Sequence, residues 1–110
     1  MKYVDVQQIL ESAVGGAPIG AHGAFWDTLS RDEFVAYKVF GQIPLIATTA
    51  AGEFDPDESN LVKAIAGLFP FGKDQAVPGA KYRRMPAGRA PIDPVDIERI
   101  REWIAAGCLE

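Results

Sequence analysis

His22 is the only histidine and Cys108 the only cysteine among 110 residues, which narrows the available chemistry at once. A zinc site built on several imidazoles is excluded, as is a catalytic set that needs a second histidine. One thiol allows no internal disulfide, no Cys-x-x-Cys redox pair and no cysteine zinc cage. Near the C-terminus, Cys108 reads as a small free-thiol residue. Glu53, Asp55, Asp57 and Glu58 lie close together, but they lack the glycine and the terminal bidentate glutamate of an EF-hand loop. Helix capping and solubility account for them. Neither a Walker-type nor a dinucleotide-binding glycine pattern occurs, and no G-x-S-x-G elbow is found. Ser12, Ser30 and Ser59 each fall in or at the start of an expected helix, and no pair of carboxylates can be assigned to a common cleft. The chain reads as non-enzymatic.

Two groups of residues could still recognise something. Lys81, Arg83 and Arg84, with Tyr82 among them and Met85 next, form the basic cluster of the sequence. Such a cluster contacts an anion or an acidic partner surface, or is simply a solvated loop. Phe25 and Trp26 follow His22-Gly23 directly, and large aromatics there either fill core volume or line a binding surface. Met85 carries a flexible thioether that fills core volume.

The elements that would position these residues read as helices between Gly/Pro-rich loops. About half of the chain is apolar and a tenth aromatic, enough for one core, so residues 1–110 form a single expected domain. A first helix is expected from Asp5 as N-cap through Val6, Ile9, Leu10 and Val14, ending at Gly15-Gly16. Ser30-Arg31-Asp32-Glu33 has the form of a capping box, which predicts a second helix through Phe34, Val35, Tyr37, Val39 and Phe40, closed by Gly41. Ile43-Pro44-Leu45-Ile46 reads as loop laid on the core, because proline argues against a central strand. A third helix is expected through Leu61, Val62, Ile65 and Leu68. The stretch from Phe69 to Pro91 reads as a long loop held down by packing. The last helix has Asp93 as N-cap, Pro94 at its first position and Gly107 beyond its end, with Ile97, Ile100, Trp103 and Ile104 on one face.

Eleven basic and fifteen acidic residues give a net charge of −4. That balance disfavours non-specific attraction to nucleic acid or to anionic lipid, so neither is an expected partner. Residues 1–8 carry a charge and two glutamines where a secretory signal would be continuously apolar, and no apolar run spans a bilayer. The expected compartment is the cytoplasm.

Two stretches together resemble the class I cytochrome c family. Pro18-Ile19-Gly20-Ala21-His22-Gly23 lies after the first helix, where that family carries Cys-x-x-Cys-His and often a glycine. Pro18 and Ala21 stand at the cysteine positions. Arg84-Met85-Pro86-Ala87-Gly88-Arg89-Ala90-Pro91, followed by Asp93 to Gly107, is similar to the Met-Pro loop and final helix of many bacterial cytochrome c domains. His22 and Met85 are 85 − 22 = 63 residues apart, a separation of the size the family uses.

The resemblance implies an all-α fold of four to five helices with long ordered loops, the N- and C-terminal helices packed together. It also implies His22 and Met85 as axial ligands of heme iron, and heme propionates as one anion for the basic cluster. The departure decides one point of chemistry, since both thioether cysteines are missing and covalent heme is excluded. The expected function is therefore a heme-free binding or accessory module, without cofactor, that engages a protein partner or small ligand through Phe25, Trp26, Tyr82, Arg83 and Arg84. The alternative is an electron carrier or sensor with non-covalent heme held by His22 and Met85.

Overall fold

A computed structural model describes residues 1–15, 23–86 and 90–110. Its four helices are α1 (Tyr3–Val14), α2 (Arg31–Ala36), α3 (Asn60–Ala66) and α4 (Pro94–Ala105). Between α2 and α3 the chain forms two antiparallel pairs, β1 (Lys38–Val39) with β2 (Ile43–Pro44) and β3 (Ala47–Thr48) with β4 (Phe54–Asp55). The all-α expectation is thereby corrected: the domain is α+β.

The physical reason lies in residues 37–48. The second helix stops at Ala36, and Tyr37 is already extended at φ −69°, ψ 140°. From Tyr37 to Phe40 exposure alternates with period two, which suits a strand and defeats continuation of a helix. Phe40 and Gly41, at φ 55° and 70°, make the reversal, and Val39 then faces Ile43 while Lys38 faces Pro44. Proline is tolerated there because the pair is two-stranded and both of its strands are edges. Thr48 pairs with Phe54 in the second ribbon, and Thr49 closes its turn by donating its N–H to the Glu53 carbonyl at 2.7 Å. Leu45 and Ile46 between the ribbons are buried on the core, as the sequence suggests.

The helix ends follow local chemistry. Ser30 Oγ accepts from Glu33 N–H and the Glu33 carboxylate accepts from Ser30 N–H, the reciprocal box expected there. Asp93 caps α4 by accepting from Val95 N–H at 2.9 Å. Asp5 is not the N-cap of α1; that helix begins two residues earlier, and the Asp5 carboxylate reaches back to Lys2 N–H at 2.8 Å. Leu68 does not continue α3, because Gly67 turns the chain left-handed at φ 69° and leaves Leu68 exposed.

One buried cluster joins all four helices: Val6, Leu10 and Val14 of α1, Phe34 of α2, Leu61, Val62 and Ile65 of α3, and Ile100, Trp103 and Ile104 of α4. Tyr3 and Trp103 stack with ring centroids 6.2 Å apart, which brings the first and last helices into contact. Ser59 is fully buried and joins the second ribbon to α3, donating to the Asp55 carbonyl at 2.6 Å and accepting from Ala47 N–H at 2.9 Å. At the other end Arg31 donates to the carbonyls of Cys108 and Gly107 at 2.6 and 2.8 Å, and Trp103 Nε1 donates to Leu109 at 2.8 Å. Among the described residues no helix is long and apolar enough to cross a membrane.

Candidate functional site

The segment Gly67–Pro86 holds most of the expected binding residues, and it is ordered by its own backbone. Gly67 ends α3, and Gly72, at φ 94°, bends the chain into a short 3-10 turn at Lys73–Gln75. A Cβ on Gly72 would stand 2.6 Å from a Val77 methyl and 2.7 Å from the Gly67 carbonyl oxygen, so this bend admits only glycine. The chain then returns alongside itself. Lys81 and Tyr82 N–H both donate to the Pro70 carbonyl at 2.9 and 3.1 Å, and Lys73 N–H donates to the Tyr82 carbonyl at 2.9 Å. Tyr82 lies beside Phe71, ring centroids 5.3 Å apart, across a parallel bridge.

Arg84 N–H donates to Asp74 Oδ1 at 2.9 Å, and Met85 N–H donates to the Ala64 carbonyl of α3 at 2.9 Å. That hydrogen bond from Arg84, aided by the charges of Arg83 and Arg84, holds the Asp74 carboxyl below the usual carboxylate range against a smaller desolvation effect. The aliphatic part of Arg84 lies over Gly67, whose added Cβ would come within 3.2 Å of Arg84 Cδ. Arg84 Nε is buried without a hydrogen-bond partner among the described residues.

These contacts separate the expected site residues. Tyr82 and Arg83 are exposed, Arg84 and Met85 are half-buried, and Met85 leans on the core cluster. Trp26 is not on a surface: it is only 5% exposed, its Nε1 donates to Glu11 at 3.3 Å, and its carbonyl accepts from Gln7 at 2.7 Å. Phe25 is half-buried and stacks on Tyr37 at 4.8 Å and 15°. Both aromatics therefore anchor the 23–29 loop to α1 and α2. Of the expected surface residues, Trp26 thus has little exposed area, Phe25 has some, and Tyr82 is exposed. His22 lies outside the described residues.

Sequence reasoning placed Leu68 in the third helix and Phe69 in a loop held down by packing, and so missed that both are exposed. They are 50% and 57% exposed beside the returning Lys81–Tyr82 stretch, and Lys73 also projects to solvent there. The legible signal was Gly67: a glycine after about two turns of apolar periodicity marks a helix end, and the residues beyond it leave the buried face.

No group of three His, Cys, Asp or Glu side chains able to hold a metal ion occurs among the described residues. Nor does the thiol position suit heme attachment. Cys108 is fully buried at the end of α4, its carbonyl is bound by Arg31, and burial pushes its thiol up to about 11 despite the nearby Arg31 charge. A recess of about 250 Å³ opens between α1 and the start of α4, lined by Ile9, Ser12, Ala13, Ile92, Asp93 and Asp96. It is smaller than the roughly 300–1,000 Å³ of ordinary ligand pockets. No protein-family model, curated protein or solved structure matches the chain.

Proposed function

We propose that this chain is a non-catalytic, heme-free binding module of the cytoplasm, which engages a protein partner through the Tyr82–Arg83 face of the Gly67–Pro86 segment. The observation that carries the reading is the fixed presentation of an exposed Tyr-Arg pair: the backbone on either side is tied to Pro70, Lys73, Asp74 and Ala64 by hydrogen bonds of 2.9–3.1 Å. Tyrosine and arginine dominate the energetics of protein interfaces, and a preorganised backbone loses little entropy on binding. The resemblance to cytochromes c adds the absence of the two thioether cysteines, which supports a scaffold that works without covalent cofactor.

The test compares wild type with a Tyr82→Ala/Arg83→Ala variant as bait in extract from the native host, with circular dichroism as a check on folding. A protein retained by wild type and lost by the variant is the expected result; equal retention overturns the reading. Hemin titration of the same sample addresses the alternative of heme held by His22 and Met85. A Soret band that appears with hemin and disappears in His22→Ala would replace the binding-module reading with a heme protein.

A further inference from the structure

Resting on that reading, we infer that the partner presents an acidic protein segment bearing apolar side chains, docked on Leu68, Phe69, Lys73, Lys81, Tyr82 and Arg83. Charge is strongly segregated along the chain. Residues 68–84 hold Lys73, Lys81, Arg83 and Arg84 against Asp74 alone, a net of +3, which leaves −7 on the rest of a chain of −4.

The backbone pairing brings these cations together with apolar surface. Lys81 and Tyr82 are bonded to Pro70, directly after the exposed Leu68 and Phe69, and Lys73 is bonded to Tyr82. Phe69 itself extends toward Gly79, with 3.5 Å between its ring edge and an added Cβ there. Three exposed cations, Lys73, Lys81 and Arg83, thus lie on the same hydrogen-bonded stretch of chain as the exposed Leu68, Phe69 and Tyr82. Asp74, whose carboxylate accepts from Arg84 N–H, keeps its negative charge and is already counted in the net of +3.

Electrostatics select the class of partner. A negative body with one positive face orients an approaching acidic surface toward that face and repels it elsewhere, so the charge pattern supplies both steering and register. A long polyanion such as a nucleic-acid duplex, or an extended anionic membrane, would also meet the acidic remainder. A compact acidic segment avoids that repulsion. The apolar centre demands more than charge, since Leu68 and Phe69 gain only from apolar contacts.

The full chain, labelled with 15N, is titrated with a synthetic peptide of alternating Glu and Asp interrupted by Leu and Phe, and with its Gln/Asn twin. The acidic peptide is expected to shift amides within residues 68–85, about tenfold more weakly when salt rises from about 50 to 300 mM. Lys81→Glu/Arg83→Glu, its spectrum otherwise unchanged, is expected to lose about tenfold or more in affinity. Equal binding of the neutral twin overturns the acidic chemistry while leaving the binding-module reading intact. Silence of the 68–85 amides overturns the proposal, as does equal binding there of a DNA duplex or of phosphatidylserine vesicles. Dilution-dependent shifts at 68–85 and 53–58 without peptide would identify a second copy of the chain as the occupant, and overturn it too. Failure of the module reading itself is seen separately, in the extract comparison and the hemin titration.

Discussion

Asp74 shows how much one exposed side chain organises. Its carboxylate receives Arg84 N–H and sits near two arginines, so its folded pKa lies below its ordinary 3.8. The sign follows from linkage: a depressed folded value means that the contribution is complete above the unfolded pKa and fades as pH falls through the lower folded one. The Arg84 amide resonance is therefore expected to titrate with a midpoint below 3.8, and the titration should vanish in Asp74→Asn. A midpoint at or above that value would mean that the hydrogen bond does not persist in solution. Because the group is exposed, global stability should respond little. Asp74 was legible in the sequence only as an acidic residue in a proline-rich loop; its partner lies ten residues away and is fixed by the return of the chain.

At the scale of elements, local signals worked where a few adjacent residues satisfied one another. The Ser30–Glu33 box and the Asp93-Pro94 start of α4 are such cases, since each closes within one helical turn. They failed where the competing contacts reach beyond one helical turn. Tyr37, Val39 and Phe40 have a spacing that a helix accepts, yet the two-stranded pairing with Ile43–Pro44 and the bond from Leu45 N–H to the Tyr37 carbonyl prevail.

The loop after α3 makes a quantitative case. Gly72→Ala combines left-handed strain of about 1–2 kcal/mol with a backbone clash of about 1–3 kcal/mol, so a loss of about 2–5 kcal/mol is expected from urea unfolding. Gly79→Ala has a similar positive φ but only an ordinary 3.5 Å contact. It should cost about 1 kcal/mol, the strain alone. Equal losses at the two positions would show that the Gly67–Val77 approach does not constrain the loop.

At the scale of the whole molecule, Arg31 makes a long-range polar link, holding the carbonyls of Gly107 and Cys108 from the start of α2. The cation–π approach to the Phe54 ring, 5.8 Å to its centroid, ties the same side chain to β4. Arg31→Met keeps much of the stem and leaves two carbonyls without their donor, which should destabilise the fold by about 2 kcal/mol. The buried Cys108 thiol, pushed up to about 11, is almost wholly protonated at neutral pH and should resist thiol reagents in wild type. Faster modification in Arg31→Met is expected; unchanged stability and reactivity together would show that the C-terminus is held by Trp103 and the core alone.

By itself the sequence determined the inventory and the local punctuation of this protein: one histidine, one thiol and hence no Cys-x-x-Cys pair, a net charge of −4, and the helix starts at Ser30 and Asp93. These depend on composition or on neighbours within a few residues, where backbone sterics and hydrogen bonding act without help from the rest of the chain. Tertiary structure alone decided that the domain is α+β, that Trp26 is buried while Leu68 and Phe69 are exposed, and that the Lys73 backbone is tied to the returning Lys81–Arg83 stretch. Strand pairing, burial and the gathering of charges depend on which distant segments meet, and that is settled by the shared core rather than by adjacent residues.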